Sequence, residues 1–409
     1  MKRRRNGEGS WGKKRIKGVE YKYYRNQYNG MDKYFYGKTE KEIKAKIKAF
    51  EDAQLPIIPK EINKLTFGEY LSNWLENIKQ PSLKRRTFDC YEDIIKAQIL
   101  EYKNYGISDK QFGALSEETF QSYYNKMAEE YSRATIRKNY VIIKQCLDYA
   151  KTKQHIKENY LENVTIPSED LVKVKKKEIQ FLTVEDMNKL YDESKRVNIE
   201  GFNFGGKIGD PVYGNNAYAI VLIMYTGLRI GEMMALKWKD VDLENKFIYV
   251  KGSLSEIKNR DAKNDEDKKY IKDTTTVKTK SGIRSIPLAD RAIEMLNLLS
   301  NKSPNHKLED NVFVNKNGSV VNRGNVTRTL EAMLTRANCD VKKCGLHSLR
   351  HSFGSFLILN GVDVKVVSTL LGHKDVTVTY NVYVHLIEQQ RIDAVNIFDK
   401  IKENENNES

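Results

Sequence analysis

At 409 residues the chain is too long for one ordinary domain and long enough for two or three. Hydrophobic residues make up 40% and charged residues 31%, the balance of a soluble globular protein, and 24 Gly with 7 Pro exclude collagenous and proline-rich architectures. The net charge of +15 is concentrated: residues 1–50 hold 16 Lys/Arg against 5 Asp/Glu, a net of +11, which points to a polyanion and most simply to nucleic acid, over a solvated tail or an anionic membrane surface.

The first ten residues, MKRRRNGEGS, are basic but lack the apolar region of a signal peptide. Residues 11–37 read as short strands. VEYKYYRNQY and MDKYFYGK flank Asn29-Gly30, a hairpin turn signal. The interleaved aromatics Trp11, Tyr21, Tyr23, Tyr24, Tyr28, Tyr34, Phe35 and Tyr36 argue against a disordered tail, which would be poor in them. Thr39 to Ala53 follows as a helix with Ile43, Ile47 and Phe50 on one face. This module, residues 1–55, carries most of the excess charge.

LPIIPKEIN (55–63) reads as a linker. Thr66 can cap FGEYLSNWLENI, with Glu69 where a capping box needs it. Further helices are expected over Lys84 to Ile99, Ser116 to Glu130 and Arg133 to Lys153, where tyrosines and leucines recur every three or four residues. Residues 64–165 therefore form an all-helical domain, with a basic patch at Lys84-Arg85-Arg86. A charged linker, 166–180, leads to a last domain over 181–400, opened by Thr183, Glu185 and Asp186. The tail 401–409 should fray. Cys90, Cys146, Cys339 and Cys344 are too sparse for a disulfide framework, and nothing around Cys339 and Cys344 completes a zinc pattern. All four read as reduced thiols in a cytosolic protein.

Four stretches of the last domain carry chemistry. In YTGLRIGEMMALKW an apolar helix, AYAIVLIMY, ends at Thr226-Gly227, where Gly suits a C-cap, and a second helix begins with Arg229 in its first turn. The run Ala217 to Tyr225 is far short of the ~20 residues of a membrane span. Arg229 must find an anion, because an unpaired buried charge is costly; Glu232 at i+3 could be that partner in a purely structural ion pair. VKTKSGIRSIPL (Val277 to Leu288) reads as a β-hairpin with Lys278 and Lys280 on one face, preceded by a polar segment, Glu256 to Asp273, expected to be a mobile loop. In LHSLRHSFGSFLI, His347 and Arg350 share a helical face and His351 falls off it. In GHKDVTVTYNVYVH, His373 follows Gly372 at a turn, and two tyrosines, Tyr380 and Tyr383, lie three apart.

Together these stretches supply two arginines, one or two lysines, two histidines and a tyrosine, with no carboxylate pair. That inventory suits a phosphorane-like transition state without metal. Arginine forks hold two oxygens at once. A lysine can protonate a leaving alkoxide, and histidines can move protons. In a cationic pocket a phenol is expected to ionise more readily and to become a usable nucleophile. A metal-dependent nuclease would need clustered Asp/Glu, which the sequence lacks.

YTGLRIGEM, TKSGIRSIPL, HSLRH, LLGH and the Y-x-H ending resemble, in order and wording, the tyrosine recombinases of the phage-integrase family, most strongly over residues 180–390. The N-terminal layout is similar to integrases of phages and conjugative transposons of low-GC Gram-positive bacteria. The resemblance implies a multidomain α+β fold: a small three-stranded sheet plus helix (1–55, binding arm-type DNA sites), a helical SAM-like core-binding domain (64–165), and a mainly helical catalytic domain with a small antiparallel sheet.

It also implies site-specific integration and excision of a mobile element through a 3′-phosphotyrosyl intermediate, with no cofactor and no metal. Arg229 and Arg350 would clamp the scissile phosphate. His347 would handle protons, His373 would donate a hydrogen bond to the phosphate, and Tyr383 would be the nucleophile. Lys278 would be the general acid, with Lys280 the alternative. Glu232 matches an acidic position that orients the first arginine. Tyr380 falls at a position usually apolar in the family and is assigned to packing.

The implied partners are double-stranded DNA at core and arm sites, a homotetramer on that DNA, and an excisionase-type accessory factor, with no membrane and a cytoplasmic location. The amphipathic segment after Tyr383 would dock on a neighbouring subunit or pack at home. The competing readings are a type IB topoisomerase-like enzyme and a non-catalytic architectural DNA-binding protein.

Overall fold

The computed structural model describes residues 9–16, 19–28, 31–53, 62, 64–102, 106–175, 180–198, 208–209, 211–261, 270–276, 282–303, 305–341 and 344–395. The chain divides into two compact units, residues 1–176 and 177–409.

The first unit opens with an antiparallel sheet of β1 (Ser10–Ile16), β2 (Val19–Tyr28) and β3 (Met31–Gly37), in that order. Asn29 and Gly30 lie outside the described residues, but Tyr28 pairs with Met31, the register a two-residue turn imposes. Pairing of Tyr23 with Tyr36 and of Arg25 with Tyr34 puts these four on one face, because side chains alternate along a strand. There Tyr34 and Tyr36 stack at 6.3 Å and the Arg25 guanidinium lies over Tyr34 at 5.7 Å. The opposite face carries buried Phe35 and receives α1 (Glu40–Ala53) through fully buried Ile43.

In the helical part of this unit, Thr66 caps α2 (Phe67–Asn73). Its Oγ1 accepts from the Glu69 amide at 3.2 Å, and Glu69 accepts from the Thr66 amide at 2.8 Å, which is the expected capping box. With α3 (Arg85–Ile95), α4 (Glu117–Met127) and α5 (Arg133–Thr152), it buries Phe67, Leu71, Phe88, Phe120, Ile143 and Leu147 in one core. Inside that core Asn139 donates to Tyr123 Oη and Gln98 Oε1 at 2.8 and 3.1 Å, so a buried amide is satisfied rather than orphaned. The core runs on into the segment expected to be linker. Val172 is buried, and the Lys173 amide donates to Ala128 O at 2.8 Å. Of the other expected linker, 55–63, only Ile62 is described.

The second unit begins with α6 (Val184–Ser194), opened by a Thr183–Asp186 capping box. α7 (Asn215–Thr226) is buried on every side from Ala217 to Met224, as its uniformly apolar sequence requires, and forms the centre of the core. After α8 (Ile230–Ala235) come β4 (Val241–Asp242), β5 (Phe247–Val250), β6 (Gly252–Lys258), β7 (Tyr270–Thr276) and β8 (Arg284–Pro287).

One expectation is corrected here. The described part of Glu256–Asp273 is no loose loop: Glu256 pairs with Lys272 and Ile257 with Ile271 in a β6–β7 ribbon. The first half of the expected 277–288 hairpin, residues 277–281, lies outside the described residues; its second half, β8, pairs with β5, in a sheet of order β4-β5-β8. The remaining helices are α9 (Asp290–Lys302), α10 (Arg323–Arg336), α11 (Leu346–Leu359), α12 (Val364–Leu371) and α13 (Val376–Val395). Among the described residues no helix is long and apolar enough to cross a membrane. The tail 401–409 lies outside them.

Candidate active site

The site is built on two helix ends. α7 stops at Gly227, whose φ of 64° is left-handed; a Cβ there would also lie 2.6 Å from Phe353 and 2.9 Å from Leu371. Two residues on, Arg229 is the N-cap of α8. Its backbone N–H donates to Glu232 Oε2 at 2.9 Å and its Nη1 to Glu232 Oε1 at 2.7 Å.

The second end is that of α12, which stops at left-handed Gly372 (φ 65°). A helix leaves its last carbonyls without intrahelical partners. Here three successive ones each take an arginine from a different segment. Arg284 Nε donates to Leu370 O at 2.7 Å, Arg350 Nη2 to Leu371 O at 2.5 Å, and Arg229 Nη2 to Gly372 O at 3.2 Å. Arg350 also donates through Nη1 to Gly227 O at 2.7 Å, so one guanidinium joins both helix ends. The negative ends of two helix dipoles thus help hold the cations together.

Within these hydrogen bonds there is one carboxylate. Glu232 receives Arg229 and also a bidentate pair from Arg284, at 3.2 and 2.9 Å. Burial pushes its pKa up, but the two arginines outweigh burial and hold it below the ordinary range. Three guanidinium groups against one carboxylate leave a net of +2. Arg350, 2% exposed, has its pKa lowered to about 9, first by burial and then by Arg229. Such a cluster is arranged to receive an anion.

His373, next along the chain, has its Nδ1 2.7 Å from Thr379 Oγ1; burial and then Arg350 and Arg229 push its pKa down to about 4, so it is neutral at pH 7. His347 is solvent-exposed on α11, and its pKa is lowered by packing and by Arg350 and Arg229. His351 does not fall away from it as the sequence suggested: the two rings are 4.6 Å apart and edge to face, and His351 is driven to about 4.

The two tyrosines exchange their expected surroundings. Tyr380, assigned to packing, is 37% exposed. Tyr383 is 1% exposed and packs with Ile358, Val367 and Leu371, with Phe181 alongside. Its hydroxyl donates to His351 O at 3.3 Å. Burial raises its pKa to about 12, against the lowering by Arg350, so in this conformation the expectation of a favoured phenolate is reversed. α13 is broken at this residue (φ −113°, ψ 15°).

The structure thus brings Arg229, Arg350 and His373 together, with His347 on the same helix as Arg350. Lys278 and Lys280 lie outside the described residues. Sequence reasoning missed Arg284. A signal was present: Arg284 shares the inward face of β8 with Ile286, two positions on, and an arginine at an inward position needs a partner. Among the described residues no three His, Cys, Asp or Glu side chains gather as a metal site would require.

Residues 180–390 match the phage integrase family, and residues 66–109 match the N-terminal SAM-like domain of phage integrases. A XerC-like tyrosine recombinase of Caldanaerobacter subterraneus subsp. tengcongensis is 28% identical over 378 residues, covering 89% of this chain and 90% of its own. The integrase of Staphylococcus phage L54a is 27% identical, over 80% and 91% of the two chains. Among solved structures, the Tn1549 transposon integrase in complex with transposon right end DNA aligns with a TM-score of 0.61 at 20% identity, over 78% of this chain and 95% of that one. A lambda integrase dimer bound to a COC′ core site aligns with a TM-score of 0.56 at 17% identity, over 93% and 96%. The fold and the family match agree, and the chain belongs to the phage integrase family of tyrosine recombinases.

Proposed function

We propose that this recombinase integrates and excises a mobile element by cutting and rejoining double-stranded DNA, with Tyr383 as the nucleophile. The phenol oxygen attacks a backbone phosphorus. The P–O5′ bond breaks, and a 3′-phosphotyrosyl link forms. The phenol proton passes to a base, the role assigned to His347, and the departing 5′-oxygen takes a proton from Lys278. Because the phosphodiester energy is kept in the tyrosyl link, a 5′-hydroxyl from a partner strand reverses the step without ATP. Arg229 and Arg350 hold the two non-bridging oxygens, and His373 donates to one of them. Losing one such donor typically costs ~10²–10³ in rate.

The observation that carries this reading is the +2 cluster, in which Arg229 and Arg350 are held on the adjacent carbonyls of Gly372 and Leu371. Tyr383 starts from a docked state, its hydroxyl on His351 O; the break of α13 at Tyr383 supplies the hinge that turns the phenol toward the phosphate. The solved relatives bound to DNA support a DNA substrate.

By the same reading, residues 1–55 contact arm sites through the Tyr23–Arg25–Tyr34–Tyr36 face, residues 64–165 and the catalytic unit grip the core site, four copies assemble on two duplexes, and an excisionase-type factor sets direction.

A DNA substrate nicked next to the cleavage point, which loses its short 5′-hydroxyl fragment and traps the covalent adduct, tests the proposal. Wild type and Tyr380→Phe should form the adduct, and Tyr383→Phe should bind DNA without forming it. An adduct in Tyr383→Phe would overturn the choice of nucleophile. No adduct in wild type would leave only DNA binding.

A further inference from the structure

Arg284 lies outside the set of residues assigned above to the phosphate, yet it is the most fully engaged arginine of the cluster. It is 8% exposed. All three nitrogens of its guanidinium are used: Nε on Leu370 O at 2.7 Å, Nη1 on Glu232 Oε1 and on Gly282 O at 3.2 and 3.3 Å, and Nη2 on Glu232 Oε2 at 2.9 Å. Four of its five N–H groups are thereby engaged within the protein.

What it holds are the two groups that position Arg229. One is Glu232, whose Oε1 also takes Arg229 Nη1 at 2.7 Å. The other is the turn at Gly372, whose carbonyl takes Arg229 Nη2 at 3.2 Å. The Arg284 guanidinium rests directly on that turn. A Cβ at Gly372 would lie 2.8 Å from its Nη1 and 3.0 Å from its Cζ.

We infer that Arg284 is a positioning residue for strand cleavage: clamped between Glu232 and the Leu370–Gly372 turn, it fixes Arg229 in register with Arg350. Two physical reasons favour placement over general stabilisation. Glu232 alone has rotamer freedom, and a second, planar, bidentate partner removes it. And Arg229 has a side chain 37% exposed, so its own packing does not fix its fork. Lysine in place of Arg284 would keep the charge beside Glu232 but could not span both oxygens and Leu370 O.

The inference rests on Arg229 acting on the phosphate. It is tested in the full chain on the nicked trapping substrate, with binding and single-turnover cleavage at saturating protein measured separately. Arg284→Lys should bind DNA within about 2-fold of wild type and cleave about 10- to 100-fold more slowly. In a double-mutant cycle, Arg229→Lys with Arg284→Lys should cleave no more than about 3-fold more slowly than Arg229→Lys alone, because both losses act through one guanidinium. Losses that multiply would overturn the inference, as would an unchanged cleavage rate in Arg284→Lys. If Arg284→Lys does not fold, Arg284→Gln goes through the same cycle. Failure of both to fold, beside a folded Arg229→Lys, would also overturn it by assigning Arg284 to stability alone. If Arg229→Lys itself cleaves at the wild-type rate, the phosphate reading of Arg229 fails first and separately.

Discussion

The hydroxyl of Tyr383 lies on the backbone of Gly354. A Cβ at residue 354 would sit 2.2 Å from Tyr383 Oη and 2.6 Å from Cζ. The apolar seat of the phenol therefore exists because residue 354 has no side chain. Gly354→Ala should expel the ring and destabilise the catalytic unit by about 1–3 kcal/mol, the usual range for overpacking. Calorimetry checks this. A melting temperature equal to that of wild type would show that the ring does not occupy this seat.

Arg350 and Arg229 should separate stability from chemistry. Arg350→Ala removes donors from the buried carbonyls Gly227 O and Leu371 O, at about 1–3 kcal/mol for each acceptor left unmet. Arg229→Ala leaves Glu232 paired with Arg284. Both variants should lose cleavage, but the melting temperature should fall much further for Arg350→Ala. Equal shifts would contradict the assigned contacts.

Acid should weaken the catalytic unit through its neutral histidines. His351 and His373 are held at about 4 in the fold, below the ~6.5 of the unfolded chain. A depressed folded pKa contributes stability that is present above the unfolded value and lost as pH falls through the folded one. The urea midpoint of this unit should therefore decline between about pH 6.5 and pH 4, and His351→Gln should flatten the decline. An unchanged slope in that variant would assign the acid sensitivity to other groups.

The N-terminal sheet should read as an electrostatic contact. Arg25 stands over Tyr34, on the face of β2 and β3 opposite to α1, with Asp32 as its ion-pair partner. Arg25→Ala should weaken binding of duplex DNA and reduce the slope of log K against log salt by about 1. An unaltered slope in fluorescence titrations would remove Arg25 from the DNA contact.

Much of this molecule is legible locally. The Thr66–Glu69 capping box, the left-handed stop at Gly227 and the strands on either side of Asn29-Gly30 follow from residues within four positions of one another. The order of YTGLRIGEM, HSLRH and LLGH identifies the family. Sequence by itself therefore determined most of the elements and the kind of protein, and named the side chains proposed to carry its chemistry. Only the tertiary structure decided that Arg284 binds Glu232, 52 positions away, and Leu370, 86 positions away. It alone decided that β8 pairs with β5, that His351 meets His347, and that Tyr383 rather than Tyr380 is the buried ring. Caps and turns are settled by bonds within a turn or two of backbone. The partner of a buried charge, or the depth of a phenol, depends on which distant segments the hydrophobic core brings alongside, and no local pattern encodes that choice.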